Sequence, residues 1–81
     1  MDVKIKPGIY THFKGREYKV FGVAIHSENY EDLVIYQEMF GNNEVWARPL
    51  TMFTATVLKD GKQEPRFTFV REFADGENSF E

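Results

Sequence analysis

Along the chain, large apolar side chains alternate with polar ones in short runs cut by Gly, Asn, Asp and Pro, the pattern of a small β meander. Three of the cuts have hairpin chemistry. Lys14-Gly15 separates Ile9–Phe13 from Glu17–His26, and Gly41-Asn42-Asn43 separates Leu33–Phe40 from Glu44–Arg48. Asp60-Gly61, a dipeptide favoured in type I′ turns, separates Thr54–Lys59 from Lys62–Val70. Pro65 has no backbone donor and suits an edge strand. Pro49 stands where a helical turn can start, with Leu50 and Phe53 three apart. The expected fold is all-β (mainly β): a small SH3-like barrel, or a curled antiparallel meander, of five to six strands with one short 3₁₀ or α turn. Residues 1–70 are expected to form this single domain, and residues 71–81 an acidic, frayed tail.

Turn geometry also proposes a register. A three-residue loop at Gly41–Asn43 sets Phe40 opposite Glu44, Glu38 opposite Trp46 and Tyr36 opposite Arg48, and pairing Ala24 with Val34 extends the ladder. One face then carries Phe21, Val23, Ile25, Leu33, Ile35, Met39, Val45 and Ala47, interrupted by Gln37, and is the expected core. The other mixes Tyr18, Val20, Gly22, Ala24, His26, Val34, Tyr36, Glu38, Phe40, Trp46 and Arg48. Gly22 and Ala24 would leave a shallow groove there, with Tyr36 and Arg48 in the same row and Trp46 and His26 toward its ends. The ligand-binding candidates are therefore Tyr18, Gly22, His26, Tyr36, Trp46 and Arg48, which together offer stacking, cation–π contact and recognition of an anion. A competing arrangement has Tyr36 cover Gly22 and the whole face close into an interior. A slip of one residue exchanges the two faces.

Composition narrows the context. In 81 residues, 42% are apolar, with eight Phe, four Tyr and one Trp, enough for one aromatic core. The absence of cysteine removes disulfides and thiolate metal sites and fits a reducing, cytoplasmic setting. No apolar run approaches the roughly 20 residues of a membrane span. Acidic and basic residues balance over residues 1–70, so the net charge of −3 falls on the tail, where Arg71 faces Glu72, Asp75, Glu77 and Glu81. Non-specific nucleic-acid binding, which draws on a basic excess, is disfavoured.

Chemistry is sparse. His12 and His26 titrate naturally near neutrality, but on a straight strand they lie about 30 Å apart at roughly 3.3 Å per residue. His26 with Glu28 is the better local pair, a base with a carboxylate two residues on, and these two are the weak catalytic candidates. Two distant histidines and scattered carboxylates do not make a metal site, and no phosphate-loop, dinucleotide or hydrolase motif calls for a cofactor. Lys14 and Arg16 flank a turn and are candidates for contact with an anion.

The segments Gly8-Ile9-Tyr10-Thr11-His12-Phe13-Lys14-Gly15, His26-Ser27-Glu28, Trp46-Ala47-Arg48-Pro49 and Pro65-Arg66-Phe67 occur in an order specific in combination. Across roughly residues 7–70 the chain resembles the bacterial domain-of-unknown-function (DUF) family 1653. The resemblance implies a small bacterial, cytoplasmic protein and carries no activity, cofactor or catalytic residue with it. Phe13 and Phe40 stand where Tyr is a frequent alternative in that family. The leading functional expectation is a non-catalytic module that binds a ligand or partner through the aromatic and arginine groove, with a peptide or small acidic ligand favoured over an RNA or nucleotide fragment. The alternatives are a small enzyme or accessory domain using His26 and Glu28, and a protein that self-associates through a sheet edge and its tail.

Overall fold

The computed structural model describes residues 4–80. Seven strands and one helical turn follow one another: β1 (Gly8–His12), β2 (Glu17–Ile25), β3 (Asp32–Glu38), β4 (Val45–Pro49), α1 (Leu50–Phe53), β5 (Thr56–Lys59), β6 (Lys62–Pro65) and β7 (Phe67–Arg71). Five of the strands form an antiparallel sheet in the order β4-β3-β2-β1-β7, and β5 and β6 pair apart as a hairpin. The expected hairpins and helical turn are present. Asp60 and Gly61 both adopt positive φ, as a two-residue I′ turn between Lys59 and Lys62 requires. Pro49 caps α1.

Two features depart from expectation. The run read as one strand, Lys62–Val70, is split at Arg66. Pro65 cannot donate onward, and the Arg66 N–H turns to Ala55 O (3.1 Å) while its carbonyl accepts from Phe13 N–H (2.9 Å). The chain thereby leaves the hairpin and enters the large sheet beside β1, which raises the strand number from the expected five or six to seven. The barrel, too, is not closed: β4 and β7 are the edges of the sheet and do not pair with each other. The sheet nevertheless curls. Flat, β7 and β3 would lie three strand spacings apart, about 14 Å, yet the Phe67 and Tyr36 ring centroids are 5.6 Å apart.

The concave side holds the core: Tyr10, Val20, Val34, Tyr36, Phe53 and Phe67 are buried, with Ile5, Tyr18, Val23, Leu50 and Phe69 packed against them. α1 drops Phe53 into this hollow, where it stacks on Phe67 at 4.0 Å and meets Tyr10 and Tyr36 edge-on. The close approach of β1 to β7 demands Gly8, because a Cβ there would collide with the Arg71 carbonyl oxygen and stand 2.8 Å from the Phe69 ring.

The face expected to be core is the convex one, and this is a correction with an identifiable cause. Val20 pairs with Tyr36 but Gly22 pairs with Ile35, so Phe21 is an extra residue, a β-bulge. Side chains before and after it exchange parity, and Tyr18, Val20 and Val23 all reach the concave side with Val34 and Tyr36. The β3–β4 register also differs by two residues from the expected one: the Glu38 N–H reaches Glu44 O (3.0 Å) and Tyr36 pairs with Trp46 rather than Arg48. On the convex side the residues after β7 fold back. Phe73 and Phe80 lie against Phe21 (5.9 and 4.5 Å), Lys19 Nζ donates to Ser79 O (3.1 Å), and Arg71 makes a paired contact with Glu77 (2.7 and 3.0 Å).

Candidate functional site

Polar chemistry gathers at one end of the concave face, where the β1–β2 turn and the β3–β4 turn come together. Alternation in β1 puts Tyr10 and His12 on the core side, and the His12 ring lies 4.9 Å from Phe67 and 6.3 Å from Tyr18. Tyr18 is the hub, meeting Tyr36 (5.4 Å), Phe40 (5.3 Å) and Phe67 (5.6 Å) edge-on. Two guanidinium groups close over this cluster: Arg16 stands 4.5 Å above the Phe40 ring and Arg48 5.7 Å above Phe67. Trp46, half exposed, donates through Nε1 to Glu38 Oε2 (2.9 Å).

The arginines here are unpaired. Among the described residues, Arg16, Arg48 and Arg66 have no carboxylate partner, and the Arg66 Nε–H is buried without an acceptor. Glu38 and Glu44 stand opposite each other at this end, and the Glu38 carboxylate is engaged by Trp46 and by the Glu44 N–H (3.3 Å). The titrating groups respond to that field. Burial, then the positive charges of Arg48, Arg66 and Lys14, lower the His12 pKa below the ordinary imidazole value. Burial, then Glu38 and Tyr36, raise the Tyr18 pKa, opposed by Arg16 and Arg48. His12 Nδ1 accepts the Lys14 N–H (3.2 Å), so in neutral His12 the proton sits on Nε2.

Of the residues singled out from sequence, Tyr18, Tyr36, Trp46 and Arg48 all project to the concave side. Tyr36 is buried at 4% exposure beneath Tyr18, so it supports the surface from below. Gly22 is elsewhere: the bulge turns it to the convex face, where Phe21, Gly22, Ala24 and Ile35 help line a groove of about 230 Å³. The groove expected from Gly22 and Ala24 exists, but on the side opposite Tyr36 and Arg48. His26 follows the far end of β2, eight residues past Tyr18, roughly 25 Å away at about 3.3 Å per residue. Its Nδ1 accepts the backbone N–H of Glu28 (3.0 Å), its N–H donates to Glu31 O and its carbonyl accepts from Tyr30 N–H. His26 is thus an organiser of the β2–β3 turn, and Glu28 meets it through the main chain. Among the described residues no group of three or more His, Asp or Glu gathers to hold a metal ion, and no helix is long and apolar enough to cross a membrane. Sequence reasoning left His12 and Arg66 out of the ligand-binding candidates and took Arg16 only as a turn-flanking candidate for contact with an anion. The signal for two of them was the interleaving of aromatic and basic residues in His12-Phe13-Lys14-Gly15-Arg16.

Fold and site together define a small, mainly β domain with a curled five-stranded antiparallel sheet, an appended hairpin and an arginine-bearing aromatic face. The chain belongs to the DUF1653 family, described as proteins of unknown function, whose sequence profile matches residues 8–69. A crystal structure of a DUF1653 protein from Bordetella bronchiseptica is similar, with a TM-score of 0.78 and 29% identity, covering 86% of this chain and 92% of that one. Comparison with the curated proteins finds no match.

Proposed function

We propose that this domain is a non-catalytic binding module whose concave aromatic face takes an acidic ligand, a peptide carboxylate or a small organic acid, through Arg48 and Arg16 beside Trp46. The observation that carries the reading is the pair of guanidinium groups set over the Phe40 and Phe67 rings, at 4.5 and 5.7 Å, without a carboxylate partner among the described residues. Guanidinium groups so placed keep donors available for a carboxylate fork. Ordering the two arginines before the ligand arrives lowers the entropic cost of binding. Tyr18 and His12 build the floor, and Trp46 supplies an exposed ring at the rim. We read the fold itself as SH3-like, on the strand order and the helical turn that follows β4.

Trp46 is the single tryptophan and reports on this face directly. Titration of its emission with acidic and basic pentapeptides of equal length should show saturable change with the acidic one alone. Arg48→Gln should weaken that binding about 10-fold while the thermal midpoint stays within a few degrees. Equal response to both peptides, or an unchanged affinity in folded Arg48→Gln, would refute the assignment.

A further inference from the structure

We infer that the acidic ligand is an extended peptide that adds as a sixth strand to the free edge of β4, an inference that rests on the acidic-ligand reading above. The ladder shows which backbone groups are free. Because the Glu38 N–H bonds to Glu44 O, the hydrogen-bonded pairs between β3 and β4 recur every second residue, at Tyr36 with Trp46 and at Val34 with Arg48. The intervening residues, Val45 and Ala47, point their N–H and C=O groups away from β3. β4 ends the sheet, so no strand takes them up.

This edge is open in a way that soluble proteins usually avoid. Val45 is 47% and Trp46 50% exposed, Ala47 is exposed as well, and among the described residues no helix or loop covers these three positions. Pro49 blocks its C-terminal end. A strand laid on Val45–Ala47 satisfies these groups, and its alternate side chains fall on the two sides of the sheet. Those on the concave side come beside Trp46 and Arg48, where acidic residues meet the unneutralised guanidinium groups. Those on the convex side come beside Val45 and Ala47, where small apolar residues fit. Charge complementarity chooses the occupant: a peptide alternating acidic and apolar residues sets carboxylates beside Arg48 and Arg16 on the concave side and small apolar side chains beside Val45 and Ala47 on the other.

The discriminating variant is Ala47→Pro, which removes one outward N–H at a position where an edge strand tolerates proline and leaves Arg48 in place. The probe is the blocked pentapeptide acetyl-Glu-Val-Glu-Val-Glu-amide, followed by Trp46 emission, with its N-methylated analogues as a second route that leaves the protein unaltered. Saturable binding that falls about 10-fold or more in folded Ala47→Pro, and equally on N-methylation of the amides that pair with β4, supports strand addition. Affinity unchanged by both while Arg48→Gln loses it overturns strand addition and leaves the acidic-ligand reading standing. No binding to the wild type, or equal binding of the Lys-Val peptide, overturns both. Preference for pentauridylate over the peptide, or a dimer in sedimentation that Ala47→Pro dissolves while the peptide does not bind, also overturns the inference.

Discussion

Phe53 is the side chain on which the curled sheet depends, and truncating it tests the whole account of the core. It is 1% exposed, stacked on Phe67 at an interplanar angle of 5° and edge-on to Tyr10 and Tyr36. Removing about 150 Å² of buried ring surface at about 25 cal/mol per Å² costs about 4 kcal/mol, and buried Phe→Ala changes generally cost about 3–5 kcal/mol once the cavity is included. A domain of this size has on the order of 4–12 kcal/mol of total stability at about 0.05–0.15 kcal/mol per residue. Phe53→Ala should therefore lie near or past the edge of folding, whereas Phe53→Leu, which keeps most of the volume, should lose about 1–1.5 kcal/mol. The control is Met52→Ala on the same helical turn, 54% exposed and expected within about 0.5 kcal/mol of wild type. Urea unfolding followed by Trp46 emission and far-ultraviolet circular dichroism gives all three values. If Phe53→Ala costs no more than Met52→Ala, the placement of α1 over the concave core is wrong.

Two pH-dependent predictions follow from the same geometry. Its hydrogen bond from Arg71, then the Ala74 N–H, hold the Glu77 carboxyl at about 2, below its ordinary 4.5. A depressed acid contributes stability that is complete above about 4.5 and is lost as pH falls through about 2. The contacts of Phe73 and Phe80 with Phe21 should loosen over that window, and Glu77→Gln should loosen them already at pH 7; nuclear Overhauser contacts between these rings that persist in Glu77→Gln would break the link. His12 should titrate below 6.5, because burial and then Arg48, Arg66 and Lys14 disfavour its charged form. Its contribution to stability is full above about 6.5 and falls as pH drops toward the lowered value, where the loss levels off. Two-dimensional NMR should find the His12 midpoint below 6.5 and closer to it in Arg48→Gln; a midpoint at or above 6.5 contradicts the positive field.

Turn chemistry made much of this fold legible. Asp60-Gly61, Lys14-Gly15 and Pro49 act through local backbone preferences, so a short window of sequence contains the whole cause. The faces of the sheet depend on something a window does not contain. Phe21 and Gly22 read as ordinary alternation, and nothing in Val20-Phe21-Gly22-Val23 announces that one of its members is unpaired. The bulge is chosen by the rest of the molecule: it lets Val20 and Val23 both meet the buried face of β3, and it leaves Phe21 to receive Phe73 and Phe80 from the end of the chain. Glycine permits the unusual backbone, with φ of 145° at Gly22, but does not require it. The candidate residues therefore divided. Tyr36, Trp46 and Arg48 kept their common side because the β3–β4 register differed by two, an even number. Gly22 changed sides because it lies beyond the bulge. Arg66 escaped notice because its position follows from the break after Pro65, which was read as a continuous strand.

The net charge of −3 averages over the whole chain, whereas only charges within a screening length of about 8–10 Å act strongly on a site. In the folded chain the acidic residues are not spread evenly. Glu77 is held by Arg71, with Lys19 contributing to the field around it, on the convex side, and Asp32 pairs with Lys4 (2.7 Å). At the concave end Arg16, Arg48 and Arg66 lie with Glu38 and Glu44, and the Glu38 carboxylate already accepts from Trp46. The lowered pKa of His12 follows first from burial and then from the positive charges of Arg48, Arg66 and Lys14 around it. On the proposed reading, an acidic ligand approaching Trp46 meets the unpaired Arg16 and Arg48 rather than the average charge of the sequence, so a balance of charges that disfavours non-specific nucleic-acid binding leaves room for an anion site.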